Sequence, residues 1–436
     1  MADLNLKSLL KFWLPLAGTW LMMSLEGPFL AAIIARLADP KFNLAAYGVA
    51  FSLALIVEAP VIMMMTASTA LVKDSQSLSK LFRFTTQLNF LITGLMLILV
   101  IPKIFYFITL DLIGLVPEVA NLTHIATIIL LPWPGAIGFR RFYQGVLIAN
   151  HATRRVAYGT VIRLVSMGST ALLLYLFSDL PGVYIGTAAL SMGVIMEALS
   201  ARVMVHRILN RIHSGGDTEA EPLSYRKIVD FYYPLALTSI LTLGVHPIIT
   251  FFVGKSVMAL ESLAVLPVVS SFVFLFRGVG ISYQEAAITL LGRTAANDRL
   301  VTRFAIFLGS MLSSILILTA FTPLSGVWFS VVSGLTDELT ALARTPLMVL
   351  GLFPATSVLI SFQRALLVKA GRTSPITGAT IVEVLGIVIV LYLGVVHFSW
   401  IGAVAATSAF MLGRVAANLY LYVKIKNPKN RSHQDG

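Results

Sequence analysis

The chain has 436 residues, 57% of them apolar and 12% charged, where a soluble domain carries about 25% charge. A soluble enzyme or nucleic-acid binder is therefore excluded. The net charge of +12 gathers on no polar module, and with no cysteine there is no disulfide, thiolate nucleophile or Cys-based metal site.

In chain order, twelve apolar runs of 20 or more residues are centred near residues 24, 58, 92, 135, 166, 195, 240, 275, 310, 352, 384 and 411. Each is long enough to cross a hydrocarbon core of roughly 30 Å at about 1.5 Å per residue. Every amide at that depth must bond within its own segment, so helices are expected. The first run follows Lys7 and Lys11, lacks a small-residue cleavage site and has an internal copy, so it reads as a retained helix rather than a signal peptide.

Basic residues fall in alternate loops: Lys73, Lys80 and Arg83, then Arg154 and Arg155, Arg207 and Arg211, Arg226 and Lys227. The series goes on through Arg293, Arg299 and Arg303, Lys369 and Arg372, and Lys424, Lys426, Lys429 and Arg431. The other loops hold little beyond Lys41, Lys103, Lys255 and Arg344. This alternation places both termini in the cytoplasm of a protein of the plasma or bacterial inner membrane.

Two stretches echo each other: "FWLPLAGTWLMMSLEGP" at 12–28 and "FYYPLALTSILTLGVHP" at 231–247. At an offset of 219, Arg36 meets Lys255, Ser52 meets Ser271 and Ala67 meets Ala286; at 220, Pro134 meets Pro354 and Phe142 meets Phe362. At 216, "IGTA" (185–188) meets "IGAV" (401–404). The expected fold is all-α and polytopic, with about twelve helices in two six-helix bundles related by a parallel pseudo-two-fold. The expected boundaries are 1–209 and 225–426, with a cytoplasmic linker at 210–224 and a tail at 427–436. Pro15 and Pro28 match Pro234 and Pro247, so kinks are expected at equivalent depths and these four are candidate hinges.

A charge at a helix centre costs about 2.5 to 3.5 kcal/mol on insertion scales, so retained charges need a reason. Glu26, Glu58, Arg163, Glu197, Arg277, Glu285, Glu383 and Arg414 count as deep. Arg140, Arg141, Arg202 and Arg364 lie nearer the cytoplasmic side, within snorkelling reach of water. Glu58 and Arg277 are equivalent in the repeat, as are Arg163 and Glu383, with the signs exchanged. The expectation is that each acid faces a base of the other half, while a carboxylate without a partner carries a coupling proton. Glu26 is the candidate for that role, because Val245 is its neutral counterpart and His246 is adjacent in that frame. Ser270, Arg277 and Gln284 are seven apart, with Glu285 beside the last, and form a polar stripe along one helix. The "RGVG" at 277–280 is expected to loosen that helix. A structural ion pair competes with a binding role at each of these positions.

"KFWLPLAGT" (11–19), "LAAYGVAFSL" (44–53), "YRKIVDFYYPLALT" (225–238) and "SLAVLPVVSSFVFLFRGVGISYQEA" (262–286) resemble the progressive ankylosis protein family, which looks like a branch of the multidrug and oligosaccharide-lipid flippase superfamily. The resemblance implies two six-helix bundles in a MATE-like arrangement and export of small polyanions such as pyrophosphate, citrate or nucleotides. It also implies a functional acid at Glu285, in "SYQEA". The loops are shorter than those of animal members.

No HExxH, GxxxxGK[ST] or GxSxG motif is present, so a membrane enzyme is the weaker reading and no cofactor or ATP site is implied. The expectation is a monomeric secondary transporter of a small anion, driven by H+, Na+ or the cargo's own gradient. A drug or cation antiporter and a lipid-linked flippase are the rival readings.

Overall fold

The computed structural model describes residues 5–214, 223–291 and 295–427. Residues 215–222 of the expected linker and 428–436 of the expected tail lie outside them, as do Arg293, Lys429 and Arg431. All twelve apolar runs are helical and long enough to cross a membrane, so the chain is an integral membrane protein. Spans 1 to 6 are Leu6–Ala35, Pro40–Leu71, Ser75–Leu99, Pro117–Ala149, Thr153–Phe177 and Gly182–Ser214. Spans 7 to 12 are Tyr225–Gly254, Ala259–Leu290, Asn297–Phe321, Asp337–Lys369, Ser374–His397 and Gly402–Lys426. Two short helical segments that the sequence reading passed over, beginning at Pro102 and at Leu324, precede spans 4 and 10. No strand forms among the described residues.

The repeat is written in the backbone. Asn5 caps span 1 by accepting from the Ser8 amide at 2.8 Å, and Ser224, 219 residues on, caps span 7 by accepting from Lys227 at 3.2 Å. Left-handed residues recur in pairs: Asp39 with Met258 (φ 50° and 53°), Gly114 with Gly334 (85° and 74°), and His151 with Gly371 (57° and 69°). The first pair is 219 apart and the other two 220 apart. The last span keeps that 220. Span 6 starts at Gly182 and span 12 at Gly402, while Thr187 and Thr407 each bond the carbonyl four residues back at 2.8 Å. The offset of 216 read from "IGTA" and "IGAV" is therefore corrected to 220.

Pro28 and Pro247 each lie one turn past a helix break. Their missing N–H leaves the carbonyls of Ser24 and Leu243 without the usual donor, and the helix stops at Ser24 and at Leu243 before resuming at Glu26 and at Val245. Pro15 and Pro234 lie inside uninterrupted helices instead. Thr19 and Thr238 bond back to their carbonyls at 3.1 and 2.9 Å, one turn on in each copy. Span 8 also runs unbroken through "RGVG", contrary to the loosening expected there. Gly278 and Gly280 serve close packing, against Trp20 and Val358. The interruption falls in span 2, where Pro60 sits in a 3-10 turn directly after Glu58.

Packing divides the chain into two compact units, one of Met1–Ala32 with Lys255–Gly436 and one of Ile33–Gly254. Each sequence half has thus given most or all of its first span to the unit built on the other half. In the first unit Leu9, Trp13 and Ala17 of span 1 join a core with Tyr283, Ala287, Phe304 and Val358. In the second, Ile228 and Tyr232 of span 7 join Met64, Leu81, Phe142 and Val205. Lipid tails are as apolar as leucine, so such cores are held by close packing and polar anchors rather than by escape from water. The anchors are again repeat-related: the Trp13 indole N–H donates to Ser282 Oγ at 2.9 Å, and the Tyr232 hydroxyl, 219 residues later, donates to Pro60 O at 2.5 Å.

Candidate functional site

Each unit holds one buried charged cluster. In the Ile33–Gly254 unit, Glu58 ends the long helix of span 2 and is 3% exposed. Arg140 and Gln144, one turn apart on span 4, face Glu197 of span 6. Arg140 is salt-bridged to Glu197 Oε2, Gln144 donates to Oε1 at 3.0 Å, and Arg163 of span 5 comes within 3.7 Å of Oε2. Arg140 is 4% exposed and does not snorkel. Its guanidinium is kept in the interior by a carboxylate, and counting residues from the helix end missed that. Arg141 makes only a long contact to the Met65 sulfur, 3.8 Å. Glu58 Oε2 has no hydrogen-bond partner, although Arg140, Arg141 and Arg163 all act on the carboxylate electrostatically.

In the other unit the cluster again has three arginines but fewer acids. Glu383 of span 11 accepts from Arg414 of span 12, whose Nε and Nη2 lie 2.8 and 2.7 Å from Oε1. The Arg414 guanidinium also stacks over Phe353 at 5.1 Å. Arg277 lies over the same ring at 5.8 Å and over Phe274 at 5.9 Å, with its buried Nε unpartnered and no carboxylate in hydrogen-bond reach among the described residues. Arg364, one turn past Ile360 on span 10, likewise has an unpartnered buried Nε. Three arginines thus share one glutamate.

The sign exchange now has a local explanation. Glu58 and Arg163 lie in one cluster, and their counterparts Arg277 and Glu383 lie in the other, so each unit keeps an acid and a base on its second and fifth spans. The expectation that the acids of the exchanged pairs face bases of the opposite half is corrected at Glu383, which is paired with Arg414 inside its own unit, as Glu197 is with Arg140. At 220, Gln144 corresponds to Arg364: an amide supports Glu197 where the other unit adds a third cation. Sequence reasoning missed Gln144 and Phe353 because neither carries a charge. Only the register of the repeat could have pointed to Gln144.

The remaining candidates stand apart. Glu26 is 9% exposed and opens the half-helix Glu26–Ala35, where its carboxylate meets the positive end of the helix dipole. His246 is half-buried at the equivalent break in span 7. Gln284 is half-buried and Glu285 exposed, the latter beside Trp20. Among the described residues no group of three or more His, Asp and Glu side chains could hold a metal ion.

No protein-family model matches this sequence, and no curated protein matches it by sequence. Solved structures do match by fold. The lipid II flippase MurJ in an inward closed conformation superposes with a TM-score of 0.70 at 15% identity, over 95% of this chain and 88% of that one. An inward-facing multidrug resistance MATE family transporter of the MOP superfamily gives 0.64 at 15% identity, over 98% and 96%. The Vibrio cholerae MATE transporter VcmN in its bent form gives 0.56 at 14% identity, over 96% and 98%. The fold is therefore MATE-like, all-α with twelve spans, as the sequence pattern led one to expect.

Proposed function

We propose that this protein is a secondary transporter working by alternating access, and that its cargo is a small organic or phosphorylated anion. The observation that supports the anion is Arg277: a half-buried side chain with a buried, unpartnered Nε and no carboxylate partner among the described residues, beside Arg364 and Arg414 in a cluster with a single glutamate. A guanidinium offers a planar fork of donors suited to carboxylate and phosphate. A cluster holding more cation than anion in an apolar interior gains most from an anion arriving. Pyrophosphate, citrate and nucleotides, the cargo implied by the resemblance to the progressive ankylosis family, all fit that chemistry. The twelve-span MATE-like fold supports transport over catalysis. The coupling ion of this proposal is H+ or Na+, and the alternation of basic loops supports cytoplasmic termini.

The second reading is a lipid-linked flippase, favoured by the likeness to the lipid II flippase MurJ. Purified protein in liposomes separates the two. Uptake of labelled pyrophosphate, citrate and ATP is compared with that of a cationic dye and with translocation of a lipid-linked sugar, with and without a pH or Na+ gradient. Anion uptake that is lost in Arg277→Gln supports the proposal. Transport of the dye alone, or anion uptake unchanged in Arg277→Gln, overturns it.

A further inference from the structure

Away from both charged clusters, spans 3, 4 and 6 of the Ile33–Gly254 unit line a half-open cavity of about 470 Å³ at the end of the spans that carries the basic loops. Its polar side chains include Arg83, Arg202 and His213, and no carboxylate lines it. Arg202 is held over the ring of Tyr143 at 5.7 Å, and Phe82 and Phe142 complete an aromatic floor. The His213 ring spends Nδ1 on the Leu209 carbonyl at 2.8 Å, which leaves Nε2 for a ligand. No ion pair holds Arg83 or Arg202 among the described residues.

The depth of this cavity is set by helix length. Span 6 has 33 residues, and about 20 suffice to cross the hydrocarbon core. With Gly182 at one face, residues from Arg202 to Ser214 reach the headgroup layer of the other. The two helical walls then continue toward the membrane interior as exposed apolar stripes. Phe90, two turns beyond Phe82 on span 3, is 75% exposed, and Leu199, one turn before Arg202 on span 6, is 56% exposed. Cations at headgroup level above apolar grooves match a phosphate carried on acyl chains.

We infer that this cavity is a binding site for the headgroup of an anionic phospholipid, with the phosphate on Arg83 and Arg202 and the chains along the stripes of Phe90 and Leu199. The repeat supplies an internal control. The matching end of span 9 carries Asp298, Arg299, Thr302 and Arg303 around a hollow of about 320 Å³ lined by that helix alone. At the position equivalent to Arg202 that unit has Tyr422, and at the position of Tyr143 it has Gln363.

Native mass spectrometry of the full-length protein in detergent, titrated with dioleoylphosphatidylglycerol or dioleoylphosphatidylcholine, tests the assignment. Wild type should bind phosphatidylglycerol at least about fivefold more tightly than phosphatidylcholine, the effect of roughly one interfacial basic residue or more. Arg83→Gln/Arg202→Gln should abolish that preference, and Arg299→Gln/Arg303→Gln should keep it. Equal binding of the two lipids by wild type overturns the inference without any variant. So does a preference that survives in Arg83→Gln/Arg202→Gln. Displacement of the lipid by millimolar glycerol 3-phosphate would assign the cavity to a soluble phosphate compound instead. If the double variant fails to fold, the saturable rise in thermal midpoint of wild type with phosphatidylglycerol over phosphatidylcholine decides, its absence overturning the site.

Discussion

Gly413 packs against the carbonyl oxygen of Glu383 so closely that a Cβ built on it would lie 2.8 Å away, and Gly193 stands in the same relation to Arg163 at 3.1 Å. The two glycines are 220 residues apart, as are the two charged residues. In each unit, then, the backbone of the sixth span closes on the residue that brings charge into the cluster. Small residues at such crossings let helix backbones approach, which is the main source of association between helices in lipid.

Gly413→Ala should therefore destabilise the protein by about 1 to 3 kcal/mol, the range for forcing a methyl into a packed contact. Gly193→Ala should cost less, since its neighbours are a few tenths of an ångström farther away. Gly18→Ala, where a Cβ meets nothing within 4 Å, should not destabilise. Thermal unfolding in detergent, followed by tryptophan fluorescence, ranks the three.

The Glu383–Arg414 pair should behave as a unit. Each side chain is about a tenth exposed, and removing one partner of a buried pair costs about 3 to 5 kcal/mol because the other charge is stranded. Glu383→Gln strands Arg414 beside Arg277 and Arg364, whereas Arg414→Gln strands a carboxylate that those two arginines can still attract. Glu383→Gln should be the more damaging change, and Glu383→Gln/Arg414→Gln should be more stable than the sum of the single losses. A double-mutant cycle on the unfolding midpoints checks both statements.

Much of this was legible in the sequence, for definite physical reasons. Twelve spans follow from run length, and the duplication from a frame that needs one shift, between the Asp39/Met258 turn and the Gly114/Gly334 turn. The exchange of first spans was not legible, because Trp13 and Tyr232 show where a segment was copied from, not which body it packs into. Arg140 was misplaced because depth was counted from helix ends, although what decides is whether a carboxylate such as Glu197 waits inside. The last span was set out of register by a four-residue match of small apolar types. Thr187 with Thr407 and Gly193 with Gly413 restore it through hydrogen bonding and close approach.

The two classes of proline should separate in function. Pro28 and Pro247 sit one turn past real breaks, whereas Pro15 and Pro234 lie inside continuous helices. Alanine at 28 or 247 restores a donor and lets the helix close across Leu25 or Gly244, stiffening the segment that would bend during a transport cycle. Pro28→Ala and Pro247→Ala should slow turnover at saturating cargo several-fold with little change in cargo affinity. Pro15→Ala and Pro234→Ala should leave turnover nearly unchanged. Equal effects of all four on the turnover rate would remove the hinge role.

Glu58 is the carboxylate whose replacement separates structure from coupling most cleanly. Its Oε2 accepts no hydrogen bond and it makes no salt bridge among the described residues, so Glu58→Gln breaks no direct pair: Arg140 and Arg163 keep Glu197, and Arg141 loses only a through-space attraction. The unfolding midpoint should therefore stay within a few degrees of wild type, in contrast to Glu197→Gln, which takes away the carboxylate that is salt-bridged to Arg140 and Arg163 and should cost about 3 kcal/mol or more. If Glu58 carries the coupling charge, Glu58→Gln liposomes should still exchange anion for anion at equal concentrations yet fail to concentrate it when a pH gradient is imposed. Accumulation that follows the gradient as well as in wild type would leave Glu58 with no coupling role, and Glu26, at the break in span 1, would be the next carboxylate to replace.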